Sequence, residues 1–424
     1  MTHPISRRDF VKTGSAATAA LVANVPLVYA AGQDKTLSVG VIGCGGRGRG
    51  ATEDIMTAAE TLKPSMNLKV VALGDMFQSG IDGARRVHGQ KPLFKVTDEN
   101  AFVGLDAYKK VLDAGVDLVI LATPPGFRPI HFAAAIEAGK NVFFEKPVAV
   151  DPVGVRKVME YGKKAAEKKL GVVAGTQRRH EKCYLDMMKR IDEGAIGEIV
   201  AGRAYWNGGG VWAPHARQEG QDDVSYQIRN WYYYDWLCGD HIVEQHVHNL
   251  DVMNWALKGH PLHAVAVGGR QSRTAPEFGH IWDHFAVDFE YPNDVHVLSM
   301  CRHWNNTPGN VSEALVGTKG RASSIQGRCS IDGAEKWRSG PNPRKPQLQE
   351  QIDLLENIRN GTPLNEAQQI AESTLVAIMG REAAYTGKAV TWDEILNSNL
   401  RLMPEKLELG PLPVRPVPVP GMPR

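Results

Sequence analysis

The segment Leu37-Ser38-Val39-Gly40-Val41-Ile42-Gly43-Cys44-Gly45-Gly46-Arg47-Gly48 decides the fold. Its first half closes a mainly apolar run over 35–42 that reads as a buried parallel strand. That run leads straight into Gly-x-Gly-x-x-Gly, and a helix is expected over 49–62. The glycine pattern alone is a weak signal. Between a strand and a helix it has the context that dinucleotide binding requires. Gly43 permits the tight turn, Gly45 lets a pyrophosphate approach the backbone, and Gly48 lets helix and strand pack closely. The helix N-terminus then faces the phosphates, with Gly46 and Arg47 beside them. The next strand, 68–75, ends at Asp75, where a carboxylate can hold the adenosine ribose hydroxyls. That favours NAD, because the 2′-phosphate of NADP would meet a negative charge. Arg47 or the Arg85-Arg86 pair keeps NADP open.

Further apolar strands are expected at 116–122, 141–145 and 170–174, with helices at 130–138 and 152–168. Strands alternating with helices give a doubly wound parallel sheet, a Rossmann domain placed at 36–155. Beyond 195 the pattern changes. Segments 199–207, 263–270, 283–291, 295–303, 313–317 and 322–326 alternate apolar and polar residues. These are half-buried strands, so an α+β domain with an open, mostly antiparallel sheet is expected over 156–400. Tyr291-Pro292-Asn293-Asp294 is a turn between two of them. One long helix is expected over 239–257, and late helices at 347–360 and 366–386 that pack back on the first domain. The Pro-rich stretch 408–424 is expected to be disordered in preference to lying across a partner subunit.

A chain of 424 residues is too long for one ordinary domain. Its net charge of +2 gives no basic face for nucleic acid. The five cysteines are scattered with no Cys-x-x-Cys pair, which argues against a disulfide scaffold. Ser6-Arg7-Arg8-Asp9-Phe10-Val11-Lys12, the apolar stretch 16–28 and small residues at 28–31 form a twin-arginine leader over 1–31. Cleavage is expected after Ala30 or Ala31. The apolar stretch is too short and Ala-rich for a stable membrane span. The alternative is a cytosolic protein with a chance Arg-Arg. The leader predicts export of the folded chain by the twin-arginine machinery to a periplasmic or extracellular site. Nicotinamide nucleotides are cytosolic, so an exported nucleotide-binding protein is expected to hold its cofactor tightly and carry it along.

Two loops follow strand ends on the ligand-binding side of such a sheet: Ala122-Thr123-Pro124-Pro125 and Glu145-Lys146-Pro147. A lysine at the second can reach the nicotinamide end and a substrate hydroxyl. The plainer reading is an ordinary strand-ending Lys-Pro. Together with Ala138-Gly139-Lys140 leading into Glu145-Lys146-Pro147, and a later Gly-Asp-x-x-x-Glu-x-x-x-His-x-x-Asp segment (239–251), these loops resemble the Gfo/Idh/MocA oxidoreductases. The likeness covers nearly the whole chain after the leader, including Gln177-Arg178-Arg179 and Ala384-Tyr385-Thr386-Gly387-Lys388. It implies a nicotinamide-dependent enzyme for sugars or polyols, with subunits paired through the open sheet.

By that resemblance Lys146 and His248 are catalytic, and Glu244 stands where the family carries Asp. Four residues apart on a helix, Glu244 and His248 would share a face, so that the carboxylate supports an imidazole acting as base. The longer Glu arm puts its partner in doubt. Thr123, Pro124, Glu145, Lys146 and Gln177 join the glycine turn and Asp75 as cofactor contacts, and Arg178 and Asp251 are substrate contacts. His241, Glu244 and His248 also share a helical face and keep a metal site open, although no metal is the favoured reading. His246 and His248 diverge by about 200° and cannot easily share one. Among the aromatics Trp206, Trp212, Trp231, Tyr232, Tyr233, Tyr234 and Trp236, one or two are expected to touch sugar, with Trp231 and Tyr232 chosen; the rest suit packing. Two other functions stay open: a hydrolase that oxidises, eliminates and re-reduces on bound NAD, and a non-catalytic sugar sensor.

Overall fold

A computed structural model describes residues 36–325 and 327–422. The expected leader lies outside the described residues. The first sheet contains β1 (Leu37–Ile42), β2 (Leu68–Asp75), β3 (Ala101–Val103), β4 (Leu118–Leu121), β5 (Asn141–Phe144) and β6 (Val172–Ala174), in the order β3-β2-β1-β4-β5-β6. All its pairings are parallel. Both faces are covered by helices, which is why β4 is buried along its whole length and reads as a continuous apolar run. Because β6 belongs to this sheet, the first domain extends past the expected boundary at 155. The order reverses beside β1, and the carboxyl ends of β1 and β4 open the crevice where ligands bind in such folds.

The second sheet contains β7 (Ile199–Gly208), β8 (His263–Gly269), β9 (His284–Tyr291), β10 (Val295–His303), β11 (Asn310–Gly317), β12 (Gly320–Ile325), β13 (Arg328–Asp332), β14 (Lys336–Arg338) and β15 (Val390–Thr391). Their order is β14-β13-β12-β11-β7-β10-β9-β8-β15. Only β7 and β10 run parallel; the other neighbours are antiparallel. Alternate residues of β9 are buried, matching the period of two read from the sequence. The turn between β9 and β10 places Asn293 and Asp294 at φ of 64° and 59°. These are the residue types that tolerate left-handed backbone best after glycine.

Late helix Pro346–Asn360 packs on the first domain. Its Ile352, Leu354, Leu355 and Ile358 share a buried cluster with Val39, Val41 and Ile55. Asp151 caps helix Pro152–Glu167 by accepting from the Gly154 amide at 2.7 Å, with a proline at the first position. Two expectations are corrected. The segment 239–257 is not one helix but two, His241–Glu244 and Val247–Leu257, broken at Gln245 and His246. Residues 408–422 of the Pro-rich tail form a strap on the same chain: the Leu412 amide donates to Asp223, Trp282 Nε1 donates to the Pro418 carbonyl at 3.2 Å, and the Gly421 amide reaches the Thr386 carbonyl. Prolines cannot extend a sheet, but their carbonyls still accept hydrogen bonds. No helix among the described residues is long and apolar enough to cross a membrane.

The glycine turn is tight. A Cβ on Gly48 would lie 1.8 Å from the Gly43 carbonyl oxygen. Gly48→Ala is expected to cost about 1–3 kcal/mol through overpacking, read as a lower denaturation midpoint; an unchanged midpoint contradicts the packing role.

Candidate active site

Helix Gly46–Thr61 starts at Gly45, whose backbone is extended and which offers no side-chain cap to the free amides. A Cβ on Gly45 or Gly46 would meet nothing within 4 Å, so these positions face open space. Gly43, at φ +94°, has no such room: a Cβ there would lie 2.6 Å from the backbone of Ala122 and Thr123. The turn is thus closed on its inner side and open towards the cleft, with uncapped N–H groups aimed outward. That arrangement fits a pyrophosphate. Asp75 is pinned beside it, accepting from the Cys44 amide at 2.7 Å and the Phe77 amide at 2.9 Å. Burial raises its pKa while those amides and Arg229 act the other way.

The cleft has a volume of about 520 Å³ and is lined by both domains. Of the residues chosen from sequence, it brings together Gly43, Gly45, Gly46, Arg47, Asp75, Thr123, Pro124, Glu145, Lys146, Gln177, Trp231, Glu244 and His248. Lys146 follows the end of β5 and donates from Nζ to the Glu244 carbonyl and, at 3.2 Å, to Glu244 Oε1. Both side chains are largely buried. His248 stacks on Trp206 with ring centroids 5.9 Å apart. Its ring nitrogens make no hydrogen bond among the described residues. Burial, then Lys146 and Arg178, hold the imidazole well below the ordinary histidine pKa. It is therefore unprotonated, the form a base needs, while the same surroundings weaken its basicity.

Arg47 turns inward to Glu145 at 2.5 Å and Asp54 at 3.3 Å. Arg85 pairs with Asp98 at 2.7 Å. Of the three cations suggested as holders of a 2′-phosphate, Arg47 and Arg85 are thus engaged with carboxylates, and Arg86 is exposed.

Several expected roles are corrected. Glu244 pairs with Lys146, not with His248, because the helix break removes the four-residue register. Arg178 lies outside the cleft in an ion pair with buried Glu313. Asp251 is buried against Arg179, with both carboxylate oxygens at 2.9 Å, and accepts from Ser373. Tyr232 is buried behind the cleft wall, stacked on His303; of the seven aromatics weighed from sequence, Trp231 and Trp206 line the cleft. Gly48 serves packing beneath the turn. His241 turns to Asp240 at 3.0 Å and away from Glu244 and His248, so the expected three-residue face does not form. Among the described residues, the only three potential metal ligands that converge are Glu290, Asp294 and His296, at a surface turn.

Residues not foreseen complete the site. Buried Arg128 clamps both loops, donating to the Pro147 carbonyl and, at 2.8 Å, to the Thr123 carbonyl. Burial lowers its pKa to about 10. Gln245 enters the cleft at the helix break, and Glu350 enters from the late helix. Arg128 carried one faint signal, its place at the start of a helix just past the Thr-Pro loop. Glu350 carried none.

Fold and cleft together define a two-domain, NAD-binding oxidoreductase. The chain belongs to the Gfo/Idh/MocA oxidoreductase family: residues 37–175 match its NAD-binding Rossmann fold and 184–323 the GFO/IDH/MocA C-terminal domain. It is an oxidoreductase of the NAD(P)-dependent class that acts on CH–OH groups. It is 30% identical over 284 residues to an inositol 2-dehydrogenase of Serratia proteamaculans, covering 63% of this chain and 69% of that protein. An inositol 2-dehydrogenase of Saccharopolyspora erythraea is matched over 44% of its length at 30% identity, across 39% of this chain. Levoglucosan dehydrogenase, solved with NADH and levoglucosan, shares the fold with TM-score 0.67 at 17% identity, over 84% of this chain and 99% of that one.

The proximity of Lys146 to His248 gives a pH prediction. By NMR, His248 is expected to stay neutral well below the usual histidine value of about 6.5, and Lys146→Met should raise its pKa by removing a nearby cation. Titration at the usual value in both proteins contradicts this electrostatic arrangement.

Proposed function

We propose that the protein is an exported oxidoreductase that acts on a hydroxyl-bearing carbon of a sugar, glycoside or cyclic polyol with a retained NAD. One observation carries this reading: Lys146, held by Glu244, shares a cleft with the uncapped glycine turn, Asp75 and the neutral His248. NAD supplies the capacity to accept hydride when bound. The turn amides receive the pyrophosphate, and Asp75 receives the ribose hydroxyls. Asp75, and the engagement of Arg47 and Arg85 elsewhere, support NAD over NADP. An ammonium has three N–H donors. Glu244 takes two of them, which leaves one for the substrate hydroxyl. His248 takes the hydroxyl proton as general base, with Trp206 fixing its ring plane. Trp206 and Trp231 offer aromatic faces to the C–H side of a ring substrate.

Export and retention rest on the leader signature ahead of the glycine turn. Pairing of subunits is supported by the open face of the second sheet, where Val265, Val267, Leu298, Met300, Val316 and Ile325 are exposed apolar residues. Protein purified without added nucleotide should be oligomeric by light scattering and release a nicotinamide nucleotide on denaturation, detected by mass spectrometry. A nucleotide-free supernatant contradicts retention. Lys146→Ala should lose at least a hundredfold in turnover yet keep its nucleotide; wild-type turnover removes Lys146 from the mechanism. Assay with glycosides separates the hydrolytic alternative, which releases free sugar with no net reduction of the nucleotide.

A further inference from the structure

A second cavity, of about 360 Å³, lies beside the main cleft between β10 and the loop after β8. Arg273 lines it and is 7% exposed. Its Nη2 donates to His303 Nδ1 at 2.9 Å and the guanidinium also meets the Tyr233 side chain, while Nε and Nη1 are buried with no partner in full hydrogen-bond geometry among the described residues. No carboxylate lies within ion-pair distance of it among the described residues. The neighbouring acid, Asp283, is spent elsewhere. Its Oδ2 accepts the backbone amides of Gln271, Ser272 and Arg273 at 2.8, 2.5 and 3.0 Å. Its Oδ1 faces His284 and the Trp304 indole. A buried cation with poorly met donors and no counter-ion is costly, and an arriving anion relieves that cost.

The cavity is wired to the catalytic cleft. Arginine only donates, so His303 Nδ1 must accept and the ring proton must sit on Nε2. Nε2 then donates to Gln245 Oε1 at 2.6 Å, and Gln245 lines the main cleft. Burial, then His241 and Arg273, keep His303 neutral, which agrees with that tautomer. Trp212, at the rim, lies 5.6 Å from Trp231 of the main cleft, ring centre to ring centre. Tyr233 lies under the guanidinium at 5.8 Å. The walls are thus aromatic, and the one charged group at the back is cationic.

We propose that this cavity is an oxyanion subsite, in which Arg273 receives the single carboxylate or sulfate ester of an acidic carbohydrate whose reacting end occupies the main cleft. A singly charged group matches one guanidinium; a doubly charged phosphate would leave an excess negative charge. The assignment rests on the carbohydrate reading of the cleft, but binding tests it without any redox step.

Calorimetry on the purified holoenzyme compares D-glucose, D-glucuronate and D-glucose 6-sulfate. At least one acidic sugar is expected to bind roughly tenfold or more tightly than glucose. The two acidic arms tell carboxylate from sulfate ester. Arg273→Gln should abolish the preference, while Arg273→Lys should keep part of it. Should Arg273→Gln fail to fold, the wild-type comparison and its weakening by salt decide. Equal binding of all three sugars by the wild type overturns the proposal, as does a preference that survives Arg273→Gln. Nucleotide retention and turnover are measured separately, so failure here is distinct from failure of the redox reading.

Discussion

The ion pair between Lys146 and Glu244 is the constraint on which the site depends. It joins the end of β5 in the first domain to a four-residue helix in the second, with Nζ and Oε1 3.2 Å apart. A charge left alone in such a place is expensive, so each residue requires the other. The parts around it hold both ends still. Arg128 fixes the Lys-Pro loop from below through the Pro147 carbonyl. Asp240 fixes the short helix: it accepts from the His241 amide at 2.6 Å and from Trp282 and Tyr385 on other elements. The lysine is thereby aimed across a cleft whose floor is the glycine turn.

That pair also explains why His248 is free. Were Glu244 to hold the imidazole, the histidine would be drawn towards its charged form. With the carboxylate committed to lysine, His248 meets only burial, a nearby ammonium and an aromatic plate, all consistent with a neutral ring. The acids and bases near the cleft are sorted in the same way. Arg178 goes to Glu313 and Arg179 to Asp251. Arg273, in the neighbouring cavity, has no carboxylate partner among the described residues.

Much of this was legible in the chain. The run into Gly43 and the acid at Asp75 carried the first sheet, because a strand buried on both faces has no choice but to be apolar. Alternation in β9 and β10 carried the second. The Glu-Lys-Pro loop lies at a strand end, where position alone points it at the ligand. What was not legible is the choice of partner. Nothing local marks the helix break at Gln245: there is no glycine or proline there. It follows from the Gln245 contact with His303 and the His246 contact with Ser299, both supplied by β10. Arg178 and Asp251 looked like free polar groups because their partners lie far along the chain. The tail's composition pointed to disorder, and only the three-dimensional arrangement of Asp223 and Trp282 shows what it lies on.

A double-mutant cycle on single-turnover reduction of the bound nicotinamide tests the central claim most directly. It uses Lys146→Met, Glu244→Gln, His248→Gln and their pairs. If Lys146 and Glu244 act as one unit, their combined loss is close to that of Lys146→Met alone, while Glu244 and His248 are nearly additive. Additive losses for Lys146 and Glu244, with strong coupling between Glu244 and His248 instead, would contradict the account.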